Sequence, residues 1–231
     1  MQNNLLHTIL IGTMVLVLFG VGECLHHFAK LKAEYTRKLI HIGTGFITLF
    51  CPLLIDNHWY VLLLCASFAV LLSLSIQMGF LKSINNIGRK SFGSISYAVS
   101  VYGCFLVFVW QKSNIFFYMP MLILAIADPL AALIGKRWEY GKFKIRKEVK
   151  TISGAAMFFI TACIVSVACI YFHGGYSLVT IIWVPLVISA VSTMAEALTE
   201  KGLDNITIPL VVVAIMLIGK YYEVGLWSFN N

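Results

Sequence analysis

Asp128 lies inside an otherwise apolar stretch, is followed at once by Pro129, and precedes a segment carrying Lys136, Arg137, Lys142, Lys144, Arg146, Lys147 and Lys150. A carboxylate is a hard oxygen ligand of the kind Mg2+ prefers, and clustered lysines and arginines bind phosphate oxygens. Together they suit a magnesium ion and a run of phosphates, the equipment of nucleotide chemistry. Asp128 stands seven residues before Gly135, roughly 10 Å from the end of a membrane-crossing helix at about 1.5 Å per residue. An unpaired charge at that depth is costly, so an intramembrane acid is by default a functional-site candidate. The structural alternative is a protonated Asp128 bonded to a serine of a neighbouring helix; the functional reading outweighs it. Pro129 withholds a backbone donor, which frees carbonyls for a metal or water.

The basic segment ends in Lys150-Thr151-Ile152-Ser153-Gly154, where a lysine, a hydroxyl and backbone N–H groups converge at a helix N-terminus as an anion site. Without Asp128 the same charges would read only as a topology signal and an attraction to anionic lipid. Further acids follow: Glu196 and Glu200 are one turn apart, and Asp204 with Asn205 opens the last span. Glu196 is expected to be buried and functional and Glu200 solvated, while Asp204 also suits a simple helix N-cap. Asn205-Ile206-Thr207 matches a glycosylation sequon, which a cytoplasmic position makes coincidental.

A second cationic group, Arg37, Lys38 and His41, gathers where the second span begins, with Arg37 and His41 on one helix face. It either snorkels to headgroups or holds a phosphate. Gly43 and Gly45 admit a neighbouring helix or a ligand, helix packing being the simpler role. Arg89 and Lys90 sit in a Ser-, Asn- and Gly-rich connection that reads as a solvated loop. Ser94, Ser96 and Tyr97 then start a span with hydroxyls that line a pocket or pack. His7, His26, His27, His58 and His173 fall at span ends or turns and read as interfacial residues.

The elements that must position these groups are membrane helices. With 60% apolar and 12% charged residues, the chain is not an ordinary soluble domain. Runs of about 20 apolar residues, enough for a hydrocarbon core, fall at 5–22, 39–55, 59–78, 94–110, 115–135, 153–172, 176–198 and 206–220. The reading is an all-α, polytopic helical bundle of about eight transmembrane helices, forming one domain over 1–231. All but two of the 17 Lys and Arg residues, Lys112 and Lys220, fall in the odd-numbered connections. By the positive-inside rule those connections are cytoplasmic and both termini lie on the other side. The net charge of +7 is then a topology signal and calls for no nucleic-acid partner. Active-site loops are expected near 23–38, 79–93, 136–152 and 199–205. The six cysteines are scattered without C-x-x-C spacing, which argues against a disulfide scaffold or zinc site. The first span lacks a basic start and a cleavage pattern and reads as retained rather than as a signal peptide. Short outer connections favour a bacterial plasma membrane over an organelle.

The series RKLIHIGTG (37–45), GSISYA (93–98), ADPLAALIGKRW (127–138), KTISGAAM (150–157) and DNITIPL (204–210) resembles the phytol kinase and dolichol kinase family, integral-membrane lipid kinases related to phosphatidate cytidylyltransferases. The resemblance implies phosphorylation of a long-chain alcohol with CTP or another nucleoside triphosphate, magnesium-dependent, in the bilayer. It implies nucleotide contacts at Gly135, Lys136, Lys142, Lys150, Gly154 and Asn205, metal binding at Asp128 and Glu196, and catalytic roles for Asp128, Glu196 and Asp204. In this scheme Glu196 or Asp204 binds metal or accepts the hydroxyl proton, and Arg37, Lys38 and His41 lie near the lipid headgroup. A glycine the family places near position 139 stands at Gly141, and Ser153 occupies a position where dolichol kinases carry glutamate, a feature closer to phytol kinases. A homo-oligomer is left open. The alternatives are a CTP-dependent lipid cytidylyltransferase and, from another class, a small transporter or a non-catalytic scaffold.

Overall fold

The structure, a computed structural model, describes residues 2–85, 92–145 and 148–221. Arg89, Lys90, Arg146 and Lys147 lie outside the described residues. In chain order the elements are α1 (Gln2–His27), α2 (Ala33–Thr48), α3 (Cys51–Leu54), α4 (His58–Met78), α5 (Lys82–Asn85), α6 (Gly93–Gln111), α7 (Ile115–Leu122), a π-helical segment (Ile123–Ala127), α8 (Asp128–Arg137), β1 (Lys142–Ile145), β2 (Glu148–Thr151), α9 (Ile152–His173), α10 (Leu178–Leu198) and α11 (Asp204–Tyr221). The chain is a multi-pass, all-α membrane protein. Among the described residues seven helices are long and apolar enough to cross a membrane, α7 to α8 counting as one continuous span.

The expected second span is the exception. It is a 16-residue helix, α2, followed by a single turn, α3. Pro52 explains the break: it has no N–H and its ring opposes the carbonyl of Thr48, four residues earlier. The chain tightens before it, with Leu49 N–H donating to Phe46 O and Phe50 N–H to Ile47 O. Elsewhere the ends follow local chemistry. Asn57 and Ser177 accept from Trp59 and Thr180 N–H at the starts of α4 and α10, and Gly79 at φ 72° ends α4.

The 115–137 span forms the axis of the bundle, with 61% of its most apolar window buried against 28–39% for the other six. The α2, α6, α9 and α11 helices pack around it, and Phe116, Phe117, Met119, Met121, Ile123 and Leu124 are fully enclosed. Outward faces of α1, α9 and α10 carry exposed Leu6, Ile164 and Ile182, the apolar surface a bilayer requires. The cysteines are free.

Pro129 sits in the first turn of α8 and leaves that helix intact. The adjustment is made before it, by the wider π turn. Pro129 has no N–H to give to Leu124 O, the acceptor five residues earlier, and His41 Nε2 donates to that carbonyl at 3.1 Å. The carbonyl expected to serve metal or water is taken by α2. Gly45 makes that approach feasible, because a Cβ there would lie 2.3 Å from Ala125 Cβ. Helix packing is thus the role of Gly45, and likewise of Gly43 against Leu18.

One element departs from the all-helical expectation. Residues 142–145 and 148–151, expected as loop, pair as the two antiparallel strands of a hairpin, with Lys142 opposite Thr151 and Ile145 opposite Glu148. The alternation Lys142-Phe143-Lys144-Ile145 carried the strand signal.

Gly45→Ala is expected to lower stability by about 1–3 kcal/mol through overpacking. Gly20→Ala, where the added Cβ meets nothing within 4 Å, is expected to be neutral or mildly stabilising. Thermal unfolding of the two variants in detergent checks the contrast, and equal melting temperatures would contradict the packing described.

Candidate active site

The basic connections meet over one cavity of about 680 Å³. Its walls include Arg37, Lys38 and His41 from α2, Asp128 and Gly135 with Lys136 from α8, Lys142 and Lys150 from the hairpin, Gly154 from α9, Glu196 from α10, and Asp204 with Asn205 from α11. All the residues singled out from the sequence for catalysis, nucleotide, metal or headgroup contact line it. Each of the four expected loop regions contributes, with Ile84 and Gly93 from the second and Gly202 from the fourth. The connections are tied to one another: Phe92 N–H donates to Lys201 O, and Lys201 N–H to Glu148 Oε1, both at 2.9 Å.

Two buried lysine–carboxylate pairs dominate the site. Lys38 Nζ lies 2.6 Å from Asp128 Oδ2, and His41 Nε2 is 3.9 Å from the same oxygen. Lys150 Nζ bonds both Glu196 Oε1 and, at 3.1 Å, the Glu196 backbone carbonyl. The side chains in these pairs are between 7% and 17% exposed. Asp128, Glu196, Asp204 and Lys150 lie within electrostatic reach of one another. The arrangement can exchange partners: an entering polyphosphate offers the lysines new anions, and an entering cation offers the carboxylates a new charge.

Lys150 lies in β2, outside the spans. Burial pulls its pKa down, but the Glu196 carboxylate prevails and holds it above the ordinary 10.5. With the folded value raised, the stability that the Lys150 charge contributes, while Glu196 is ionised, is full below the ordinary lysine value and is lost as pH climbs through the folded one.

Within the structure the expected residues have partners of their own. Asp128 takes Lys38 as its partner, in place of the serine of the alternative reading. Lys38 is buried at that acid, and its carboxylate partner offsets the burial of the ammonium. Lys136 meets Glu34 and Lys142 meets Glu139 at half-exposed positions. Arg137 and Lys144 are exposed and lie outside the cavity wall. At the start of α9 one of the donors expected for an anion is already used, Gly154 N–H bonding Thr151 Oγ1 at 3.1 Å. Gly135 and Gly154 touch backbone to backbone, a Cβ on Gly154 lying 3.4 Å from Gly135 Cα, so they also bring α8 and α9 together. Asn205 spans from α11 to α6, its Nδ2 donating to Gly93 O at 2.7 Å while Ser100 Oγ donates to its carbonyl at 2.6 Å. Asp204 opens α11 and accepts from Asn205 N–H. Glu200, expected to be solvated, has a side chain only 13% exposed, because its connection is drawn against the hairpin by the Lys201–Glu148 bond.

The carboxylates of Asp128, Glu196 and Asp204 are the hard-oxygen donors that the helices bring to the cavity wall inside the rim. Among the described residues no group of three or more His, Cys, Asp or Glu side chains is gathered so as to hold a metal ion unaided. That donor set does not fit a metal caged by protein, and fits Mg2+, which commonly takes one or two carboxylates and fills its shell with waters and substrate phosphates. Sequence reasoning missed Thr44, which lines the cavity one turn beyond His41; its i+3 and i+7 spacing from His41 and Arg37 carried the signal. It also missed Glu34, Glu139 and Glu148 at the rim.

Fold and site together define a polytopic helical membrane protein with a charged cavity built from the basic connections at one end of its bundle. Compared with known proteins, the chain is similar to a phytol kinase from Synechocystis sp., 28% identical over 215 residues that cover 93% of this chain and 90% of the relative. The match bears out the resemblance to the phytol kinase and dolichol kinase family along almost the whole sequence. No family model matches the chain, and no solved structure matches it significantly.

Lys38→Met leaves the buried Asp128 carboxylate without its partner and is expected to destabilise by about 3–5 kcal/mol. Lys136→Met, at a half-exposed pair, is expected to change stability by about 1 kcal/mol or less. Unfolding in detergent should rank the variants so, and adding Asp128→Leu to Lys38→Met should recover much of the loss. A Lys38→Met protein as stable as wild type would show that the pair carries no structural weight.

Proposed function

We propose that this chain is a membrane lipid-alcohol kinase, transferring the γ-phosphate of a nucleoside triphosphate, CTP in the family it resembles, to the hydroxyl of a long-chain isoprenoid alcohol. The observation that carries the reading is the pair of buried lysine–carboxylate contacts, Lys38–Asp128 and Lys150–Glu196, facing a single cavity inside a membrane bundle. The phytol kinase relative supports the same class.

Phosphoryl transfer asks a protein for positioning and for positive charge around the moving group. Lys38 and Lys150 supply that charge from buried positions where water screens it little. In exchanging a carboxylate for a phosphate oxygen, each lysine keeps an anionic partner, so no charge is stranded. Magnesium, when bound with the nucleotide, neutralises phosphate oxygens, and Asp128 with Glu196 would hold it. The alcohol oxygen attacks the γ-phosphorus, the bond from that phosphorus to the bridging β-oxygen breaks, and the hydroxyl proton passes to Asp204, the carboxylate not assigned to the metal. Lys142 and Lys136 at the rim hold the nucleotide's outer charge, and Arg37 and His41 face the acceptor side. The two ends of the reaction require different solvents, nucleotide from water and alcohol from lipid. A cavity at the basic end of a membrane bundle gives both a route.

Purified protein with Mg2+, CTP or ATP labelled at the γ- or α-phosphate, and a panel of phytol, polyprenols and diacylglycerol tests the reading. Label from the γ-position is expected in an alcohol, and Asp128→Asn is expected to lower kcat by about 10²-fold or more. Label from the α-position would make the protein a cytidylyltransferase. No lipid label, with nucleotide-independent flux in liposomes, would make it a transporter.

A further inference from the structure

The cavity has an apolar wall as well as a charged one. Phe19 of α1, Ile40 of α2, Leu72 of α4 and Ile84 of α5 line it, each 5–7% exposed. With Val15 they form a small apolar cluster separate from the main core. The wall is braced: Ser83 N–H in α5 donates to Glu23 Oε1 of α1 at 2.8 Å, and Thr36 Oγ1 of α2 donates to Ser83 O at 2.7 Å.

Where this wall meets the charged half, the cavity face of α2 presents Arg37, His41 and Thr44. Among the described residues, Arg37 Nε and Thr44 Oγ1 are buried without a hydrogen-bond partner. Buried polar atoms are satisfied in most proteins, and an orphan asks what satisfies it. A ligand that brings one hydroxyl on an apolar chain meets both demands at once. The cavity is of the size that encloses one small ligand, so a long chain enters only in part and the remainder lies in lipid.

We infer that the Phe19, Ile40, Leu72 and Ile84 wall seats the hydroxyl-proximal part of the acceptor's hydrocarbon chain, and that Thr44 Oγ1 hydrogen-bonds the acceptor hydroxyl. The inference rests on the lipid-alcohol kinase reading and locates its acceptor. Thr44 is a binding residue in this scheme, orienting the hydroxyl on the α2 side while the lysines hold phosphate opposite it. Arg37 stands at the same junction, where the new phosphate ester leaves.

The test uses the full chain in nanodiscs and an isoprenoid alcohol carrying a diazirine near its hydroxyl, photolysed without nucleotide and mapped by mass spectrometry. Labelling is expected on α1, α4 and α5 around Phe19, Leu72 and Ile84, displaced by unlabelled alcohol and strongly reduced in Leu72→Trp. In turnover, Thr44→Val is expected to raise KM for the alcohol about tenfold, the size of one lost hydrogen bond, with KM for nucleotide unchanged and Thr44→Ser close to wild type. Label confined to other helices, label that unlabelled alcohol does not displace, or a Thr44→Val effect on nucleotide equal to that on alcohol would overturn the assignment. Wild type that carries displaceable label at this wall but transfers no phosphate would overturn the kinase reading and keep the alcohol seat. Wild type that transfers phosphate but carries its label elsewhere would overturn the seat alone.

Discussion

The ammonium of Lys38 and the carboxylate of Asp128, 2.6 Å apart, face each other where neither charge is tolerable alone. A lone charge near the middle of a membrane helix is expensive on every scale, and a buried pair repays its desolvation only with close geometry. The two residues are 90 positions apart in sequence, so α2 must be held against the central span to within a fraction of an ångström. Gly45 and Ala125 provide the close contact, and the His41 bond to Leu124 O fixes the rotation of α2 about it. The π turn and Pro129 are parts of the same device, because together they expose the carbonyl that His41 takes.

Lys150 and Glu196 repeat the arrangement from the other side of the cavity. Here the hairpin rather than a helix delivers the cation. A flexible loop would have to surrender much side-chain and backbone freedom to hold a lysine inside the bundle. Pairing Phe143 with Lys150 in the β1–β2 register sets the backbone beforehand, and Thr151 joins the strand to α9 as its N-cap. Each pair thus comes from elements distant in sequence and rigid in structure. The cavity between them has preorganised charge that an incoming polyphosphate does not need to assemble.

Much of this was legible in the sequence, and what was not has physical causes. Long apolar runs mark the spans because their length is fixed by the bilayer, and Asp128 announces itself because burial makes an unexplained acid conspicuous. The break after α2 was hidden because Pro52 lies within an unbroken apolar run, where composition alone continues the span. The hairpin was hidden because four alternating residues among lysines resemble a solvated loop. The residues around the cavity could be named, but their partners could not. Lys38–Asp128 and Lys150–Glu196 depend on helix rotation and hairpin register, which no local spacing encodes. Glu200 was assigned to solvent because burial at the end of a span is decided by neighbouring connections, whereas Thr44 was overlooked on a face that its spacing from Arg37 and His41 marked.

The central claim is that these buried pairs are places held for nucleotide and metal, so that binding exchanges partners without stranding a charge. A structure determined with Mg2+ and a non-hydrolysable nucleoside triphosphate tests it most directly. The account predicts phosphate oxygens between Lys38 and Lys150, both lysines withdrawn from their carboxylates, and the metal on Asp128. Nucleotide bound with both ion pairs intact, or bound outside this cavity, would contradict it.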